Sequence, residues 1–147
     1  MSATAMGRLD LDGEIASIGN DLSGRTLGPY RIGERLGGGV MAAVYRGARL
    51  EDGVPVALKL LLPGADAVMR ERFRREAMTV STLSHAHVVR TLEVGEVDGL
   101  AYIAMELVDG SSLADLLERV GTLSVNDACR LLAPIAEALH HAHLRGI

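Results

Sequence analysis

Hydrophobic and polar positions alternate in short runs through the first two thirds of the chain, a pattern that predicts a sheet of short strands. Five runs have this character, at residues 30–36, 43–50, 54–62, 88–97 and 100–107. An Asp-Gly pair at residues 52–53 separates the second run from the third, and another at residues 98–99 separates the last two. Because Asp-Gly favours the backbone angles of tight turns, both pairs predict hairpins.

Helical spacing of apolar side chains marks the rest of the chain. Residues 66–83 predict a helix with one apolar face, formed by Met69, Phe73, Val80 and Leu83. Ser111 or Ser112 can cap a short helix that ends near residue 120. Ser124, with Asp127 three residues later, resembles a capping box and opens a last helix that runs to about residue 145.

The last helix is apolar on nearly every face, and Pro134 inside it predicts a kink. Its apolar residues are Cys129, Leu131, Leu132, Ile135, Ala136, Leu139 and Leu144. A helix of this kind is normally buried on most sides, and the short helix before it is too small to cover it. We therefore expect the sequence to stop within the core of a larger domain.

Composition and charge exclude several classes of protein. With 147 residues the chain has room for one compact domain, and a net charge of -4 argues against a nucleic-acid partner. The densest basic run contains Arg70, Arg72, Arg74 and Arg75. Acidic residues interrupt this run and end it, so we interpret it as the solvated face of a helix rather than a binding patch.

Cys129 is the only cysteine, so no disulfide can form within the chain, as is usual for a protein of the reducing cytosol. The sequence has neither a signal-peptide pattern nor an apolar stretch long enough to span a membrane. We expect a soluble, cytoplasmic protein.

A glycine cluster follows the first predicted strand, in residues 36–45. Set against the pattern GxGxxG, Gly37 and Gly39 fit and Ala42 replaces the third glycine. A dinucleotide-binding fingerprint would need a helix directly after the glycines, and a Walker A loop would need Gly-Lys-Ser or Gly-Lys-Thr. Here a strand follows, so an ordinary glycine-rich turn and a hairpin that folds over phosphates remain.

Lys59 lies in the middle of a strand that is apolar on both faces, beside Ala57 and Leu61 on one of them. An ammonium group in this position needs an anion, unless the strand lies at an edge and the side chain reaches water. Glu76 lies on the apolar face of the first predicted helix, so its carboxylate needs an inward cation or a proton. Lys59 is the candidate cation, and Arg72, one turn earlier, is the alternative.

These residues, taken in order, resemble the nucleotide-binding lobe of protein kinases, most closely bacterial serine/threonine kinases of the eukaryotic-like (Hanks) type. The resemblance rests on residues 36–45, on Val56-Ala57-Leu58-Lys59 and on Glu76. Further segments match in order, at residues 83–89, 102–108, 110–113 and 139–147. Ala86 and His87 depart from the family's usual Pro-Asn.

The resemblance implies an α+β fold, in which a five-stranded antiparallel sheet and one helix form a kinase N-lobe and the first two helices of the C-lobe follow. It implies a flexible leader at residues 1–29, the ATP-binding N-lobe at residues 30–107, and the hinge with an incomplete C-lobe at residues 108–147.

The resemblance also implies a site for ATP. Lys59 would contact the α- and β-phosphates and would be held by Glu76, as the catalytic ion pair. Val44 and Ala57 would enclose adenine, Met105 would be the gatekeeper, and backbone groups of the hinge would bind the adenine edge. The cofactor-binding residues would be Leu36, Gly37, Gly38, Gly39, Val40, Met41, Ala42, Val44, Ala57, Lys59, Met105, Glu106 and Val108.

Phosphoryl transfer in this family needs a catalytic Asp, an Asn and a second Asp that hold Mg2+, and all three would lie beyond Ile147. We expect no metal site in the chain itself, although His140, His141 and His143 could in principle ligate zinc. The complete domain would phosphorylate protein Ser or Thr, and this chain alone would be weakly active or inactive. A non-catalytic module that binds nucleotide, or pairs with another kinase lobe through its C-terminal helix, is one alternative. A gene fragment without a function is the other.

Overall fold

The computed structural model describes residues 21–39, 41–62 and 64–147. Within these residues six strands and three helices follow one another: β1 (Thr26–Leu27), β2 (Tyr30–Gly38), β3 (Ala42–Arg49), β4 (Pro55–Leu61), α1 (Ala67–Ser81), β5 (Thr91–Val97), β6 (Leu100–Glu106), α2 (Leu113–Val120) and α3 (Val125–His143). The strands form one antiparallel sheet in the order β1-β2-β3-β4-β6-β5.

Both hairpins predicted from Asp-Gly pairs are confirmed. Between β5 and β6, Asp98 and Gly99 have φ of 49° and 79°, the left-handed angles that a two-residue hairpin turn requires. Between β3 and β4, Gly53 has φ of 73°, and the carboxylate of Asp52 accepts a hydrogen bond from the N–H of Val54 at 3.1 Å. The strands that flank each turn therefore pair in register.

The sheet has a buried core on each face, because side chains of neighbouring strand positions point to opposite sides. One core includes Leu58 and Leu60 of β4, together with side chains from every other strand, to which β5 contributes the half-buried Val97. The other core joins Leu61 to Phe73 and Ala77, which anchor α1 to the sheet. β4 contributes to both cores, as expected for a central strand.

The sheet has one strand more than predicted, because β1 lies in the segment that we expected to belong to the flexible leader. Leu22 and Leu27 are buried in the larger core, and the N–H of Gly24 donates to the carbonyl of Ile32 at 2.8 Å. The leader prediction was therefore wrong for residues 21–29, and its residues 1–20 lie outside the described residues. A two-residue strand is too short to produce a detectable alternation.

The boundaries of α1 and β5 differ from prediction by a few residues. The carboxylate of Asp66 accepts a hydrogen bond from the N–H of Met69 at 2.8 Å, which explains why α1 begins at Ala67. A turn after the helix delays β5 until Thr91, since the N–H of Val88 donates to the carbonyl of His85 at 3.1 Å.

The two C-terminal helices have the predicted caps. Ser112 and Asp115 form a reciprocal capping box at the start of α2, and the side chain of Ser124 accepts from the N–H of Asp127 at the start of α3. Pro134 lies inside α3, and the kink that we expected there stays a prediction. In the part of the chain that the structure describes, no helix is long and apolar enough to cross a membrane.

Candidate nucleotide-binding site

The glycine cluster closes the hairpin between β2 and β3. Gly37 pairs with Val44 and Gly38 with Ala43, and the N–H of Gly39 donates to the carbonyl of Ala42 at 2.9 Å. Gly38 has φ of 131°, and a Cβ there would lie 2.5 Å from the Ala42 carbonyl oxygen, so only glycine fits. The hairpin is therefore a tight strand-glycine-strand turn, the arrangement predicted from the absence of a helix.

Gly37 and Gly39 differ from Gly38 because a Cβ at either would meet no other atom within 4 Å. The hairpin therefore leaves open space beside its backbone, which a bound group of atoms could fill. Leu36, Met41 and the half-buried Ala42 flank this space, and the first two are exposed. Val40, the remaining predicted loop residue, lies outside the described residues.

Lys59 of β4 and Glu76 of α1 form an ion pair, in which the ammonium nitrogen lies 2.5 Å from the carboxylate Oε1. Strand alternation directs Lys59 to the face of the sheet that α1 covers, and Glu76 lies one helical turn from Phe73, which anchors the helix. The structure thus brings together the two charges that the sequence singled out, and Glu76 pairs with Lys59 rather than with Arg72.

The expectation that the Glu76 carboxylate is buried was wrong. Its side chain is 56% exposed, against 25% for Lys59. The buried residues of α1 are Phe73 and Ala77, so Glu76 lies beside the face that packs on the sheet, and its carboxylate meets Lys59 where solvent still reaches it. Because this ion pair is accessible to solvent, an anion could bind the Lys59 ammonium in addition to Glu76. A fully buried ion pair would not be accessible to an anion.

Phe73 contributes a second contact to Lys59 that sequence analysis did not anticipate. The ammonium nitrogen lies 5.8 Å from the centre of the aromatic ring, within the range of a cation–π interaction. The position of Phe73, three residues before Glu76 on the same helix face, was the signal available in the sequence.

The floor beside Lys59 is formed by three strands. Val44 lies opposite Lys59 across β3 and β4, and Met105 lies opposite Ala57 across β4 and β6. Directly opposite residues of antiparallel strands point to the same face, so these side chains line one surface with Lys59. Ala57 is buried, while Val44 and Met105 are half-buried.

The segment after β6 continues this surface. The backbone N–H of Glu106 donates to the carbonyl of Arg90 at 2.9 Å. Of the two backbone groups of Glu106, this leaves the carbonyl for a ligand. Val108 is exposed and lies two residues after the end of β6. These two residues occupy the positions where the sequence predicted backbone contacts.

Arg46 is a charged residue at the rim that sequence analysis missed. It lies opposite Ala57 across β3 and β4, and its guanidinium pairs with Glu34 at 3.2 Å and with Asp109 at 3.9 Å. The alternation of β3 would have placed Arg46 on the same face as Val44, which was the signal available. These contacts join β2, β3 and the segment after β6 at one edge of the site.

The residues present fit an anionic nucleotide better than a metal ion. A surface with one ammonium group, a glycine hairpin and apolar side chains suits phosphates next to a flat ring. Within residues 21–39, 41–62 and 64–147, no group of three or more His, Cys, Asp or Glu side chains is arranged to hold a metal. We assign no Mg2+ ligand to these residues.

Comparisons with known proteins identify the family of this chain. The protein kinase domain family matches residues 30–147. Serine/threonine-protein kinase PknH of Mycobacterium bovis is 38% identical over 126 residues, and PknD of Mycobacterium tuberculosis is 37% identical over 126 residues. Each alignment covers 84% of this chain, but only 21% and 19% of those two proteins.

A solved structure shows the same fold. The kinase domain of Mycobacterium tuberculosis PknI superposes with a TM-score of 0.70 at 34% identity. The match covers 85% of this chain and 52% of the PknI chain, so this chain spans about half the length of that kinase domain.

The chain belongs to the protein kinase domain family, and its relatives are bacterial serine/threonine kinases. Its sheet with α1 is the N-lobe of the protein-kinase-like fold, and α2 and α3 are the helices that follow it.

Proposed function

We propose that the chain is the ATP-binding part of a cytoplasmic serine/threonine protein kinase. The observation that carries the proposal is the ion pair between Lys59 and Glu76, on the face of the sheet that also holds Val44, Ala57 and Met105. A single ammonium group, fixed by a carboxylate and open to solvent, is suited to bind the oxygens of two adjacent phosphates.

Each residue of the site has a defined part in this proposal. Lys59 binds the α- and β-phosphates, and Glu76 holds its ammonium in place. The glycine hairpin covers the phosphates with its backbone, while Val44 and Ala57 enclose the adenine ring. Met105 limits the depth of the adenine pocket, and the Glu106 carbonyl and the Val108 backbone bind the adenine edge.

In the complete kinase the γ-phosphoryl group of ATP passes to the hydroxyl oxygen of a protein Ser or Thr, and ADP leaves. When bound, Mg2+ neutralises charge on the phosphates during this transfer. The residues described here bind and orient ATP, and we assign no proton transfer to them. We therefore expect purified 1–147 to bind ATP but to phosphorylate no protein substrate. Detection of magnesium-dependent phosphorylation by this chain would contradict that expectation.

Lys59 is the only lysine among the 147 residues, which allows a direct test of ATP binding. We expect ATP to protect Lys59 of the purified chain from an amine-acylating reagent, because the phosphates would occupy its remaining hydrogen-bonding positions. Mass spectrometry of the peptide that contains Lys59 measures the protection. The α-amino group of the chain is the internal control, since ATP should leave its acylation unchanged.

A pair of variants on α1 sharpens the test. Glu76→Gln removes the charge that holds Lys59, so about tenfold more ATP should be needed for half protection, corresponding to about 1.4 kcal/mol. Glu71→Gln is the matched control, because Glu71 is an exposed carboxylate of the same helix whose nearest partner, Arg75, lies 3.9 Å away. Equal acylation of Lys59 with and without ATP in the unmodified chain would refute the proposal.

A non-catalytic module that associates through α3 is a second candidate. It is favoured by the apolar side chains that α3 exposes, among them Leu132, Ile135 and Leu139. Under this function the chain would bind its partner whether or not Lys59 is intact. Loss of association in Lys59→Ala would argue against it.

A further inference from the structure

α3 contacts the rest of the protein through an imidazole. His141 lies near the end of α3, and the centre of its ring is 4.9 Å from that of His85, which precedes the turn between α1 and β5. His141 shares a helix face with Pro134, Ala138 and Ala142, which are less exposed than the apolar residues of the opposite faces. The contact therefore joins α3 to the loop that directly follows the helix of Glu76.

The hydrogen bonds of His141 define its protonation state. Its Nδ1 lies 3.1 Å from a guanidinium nitrogen of Arg145. A guanidinium can only donate, so Nδ1 must accept and carries no proton. The ring proton of neutral His141 is then on Nε2, which is buried and faces the backbone of Ser84.

Protonation of His141 would conflict with its contact with Arg145. An added proton on Nδ1 would replace an accepted hydrogen bond by two opposed N–H groups, and the charge would face the guanidinium. The pKa of His141 is lowered from its ordinary value of 6.5, first by burial and then by the electrostatic effect of Arg145, while a hydrogen bond with the Ser84 backbone opposes this shift. In the same loop, the centre of the His87 ring lies 5.5 Å from the centre of the His85 ring.

A cavity of about 530 Å³ lies beside His85 and is also lined by Arg90 and Glu106. Glu106 is the one acid among the described residues that line this cavity, and its carboxylate already accepts a hydrogen bond from the N–H of Arg90 at 3.0 Å.

We propose that the contact between His85 and His141 is a pH-sensitive attachment of α3 to the loop after α1. It is closed while the His141 imidazole is neutral, and it opens when His141 takes up a proton. Because a group with a depressed basic pKa stabilises the attached state above its ordinary pKa, the attachment is lost as pH falls below about 6.5. The loop that follows the helix of Glu76 thus becomes free of α3 in acid.

Hydrogen exchange of purified 1–147 tests this proposal without any nucleotide. Amides of residues 83–90 and 136–147 should lose protection severalfold between about pH 7.5 and about pH 5.5, after correction for the intrinsic exchange rate. Amides of β3 and β4 serve as the internal control and should keep their protection. Unchanged protection of both segments at the lower pH would overturn the proposal.

Two variants and one titration separate this device from general acid sensitivity. His141→Phe keeps a ring but cannot be protonated, so its protection should be independent of pH. His143→Phe, an exposed histidine of the same helix, should behave like the unmodified chain. NMR of the unmodified chain gives an answer even if His141→Phe does not fold: the His141 imidazole must titrate below 6.5, and titration at or above that value would refute the attachment.

Discussion

Glu93 shows how a single carboxylate can organise buried residues from distant parts of the chain. Its two oxygens accept hydrogen bonds from the hydroxyl groups of Tyr30 at 2.7 Å and of Tyr102 at 2.6 Å. Both tyrosines are buried, and their rings meet edge to face with centres 5.9 Å apart. The carboxylate thus joins β2, β5 and β6 on the face of the sheet away from Lys59.

Replacement of Glu93 by Ala should leave two buried hydroxyl groups without their acceptor. We expect the free energy of unfolding to fall by about 1–3 kcal/mol, the usual cost of unsatisfied buried polar groups. Glu93→Gln keeps one carbonyl oxygen and the same shape, so its loss should be smaller. Urea unfolding followed by circular dichroism measures both values. Equal stability of Glu93→Ala and the unmodified chain would show that water replaces the carboxylate.

Among the elements, the hairpin between β2 and β3 depends on one backbone conformation. Gly38 needs a positive φ and allows no Cβ, while Gly37 beside it has open space around its Cα. The backbone conformation therefore requires glycine at residue 38, whereas a side chain at residue 37 would meet no neighbouring atom.

Gly38→Ala should strain the hairpin, because its Cβ would collide with the Ala42 carbonyl oxygen and its φ is unfavourable for alanine. We expect the free energy of unfolding to fall by about 1–3 kcal/mol, measured by urea titration. Gly37→Ala is the matched control and should change it by less than about 0.5 kcal/mol. If both substitutions had the same effect, the hairpin would not have the described geometry.

Among the described elements, α3 has the most exposed large apolar residues. Leu139 is 53% exposed and Val125 is 82% exposed, and Ala138 is the one buried residue of this helix. Contiguous apolar side chains in water favour association with another surface.

The purified chain should therefore self-associate in a concentration-dependent manner, as measured by sedimentation velocity. Leu139→Glu should shift it toward monomer, because a carboxylate resists burial in an apolar contact. Asn126→Glu adds the same charge to an exposed position on another face of α3 and should leave association unchanged. An unmodified chain that stays monomeric at high concentration would contradict this role of α3.

For the whole molecule, we expect the free energy of unfolding to fall at alkaline pH, because the buried Tyr30 and Tyr102 resist deprotonation in the folded chain. Burial and the hydrogen bond to Glu93 raise the pKa of Tyr30 from 10.0 to about 12, and the pKa of Tyr102 is raised for the same reasons. The folded chain retains these protons after the unfolded chain has lost them. The stability that these two tyrosines contribute is fully present below about pH 10. It is lost as pH rises from there through the pKa values that they have in the folded chain.

We expect the urea midpoint of unfolding to fall steadily above about pH 10. Tyr30→Phe removes one of the two titrating groups, so its midpoint should fall less steeply over the same range. An equally steep decline in Tyr30→Phe would assign the alkaline sensitivity to other groups.

The local structure and the candidate chemistry could both be predicted from the amino-acid pattern. Alternation, two Asp-Gly turns and serine caps defined five strands and three helices, because each of these signals acts between residues close in the chain. The same patterns singled out Lys59 and Glu76, since a charge on an apolar strand or helix face stands out against its neighbours. The sequence showed that Gly38 lies in the glycine turn, but not that residue 38 needs glycine more than residue 37 does. The φ of Gly38 depends on the pairing of β2 with β3.

Features that depend on packing between distant segments became visible only in the folded chain. β1 pairs with β2 although it is too short for a detectable pattern, and Glu76 meets Lys59 from the solvent side rather than from a sealed core. The contacts of Glu93 with Tyr30 and of His141 with His85 join residues far apart in the chain. In each case strand register and helix docking bring these atoms together. Neither can be predicted from the spacing of neighbouring residues, because both depend on contacts between segments far apart in the chain.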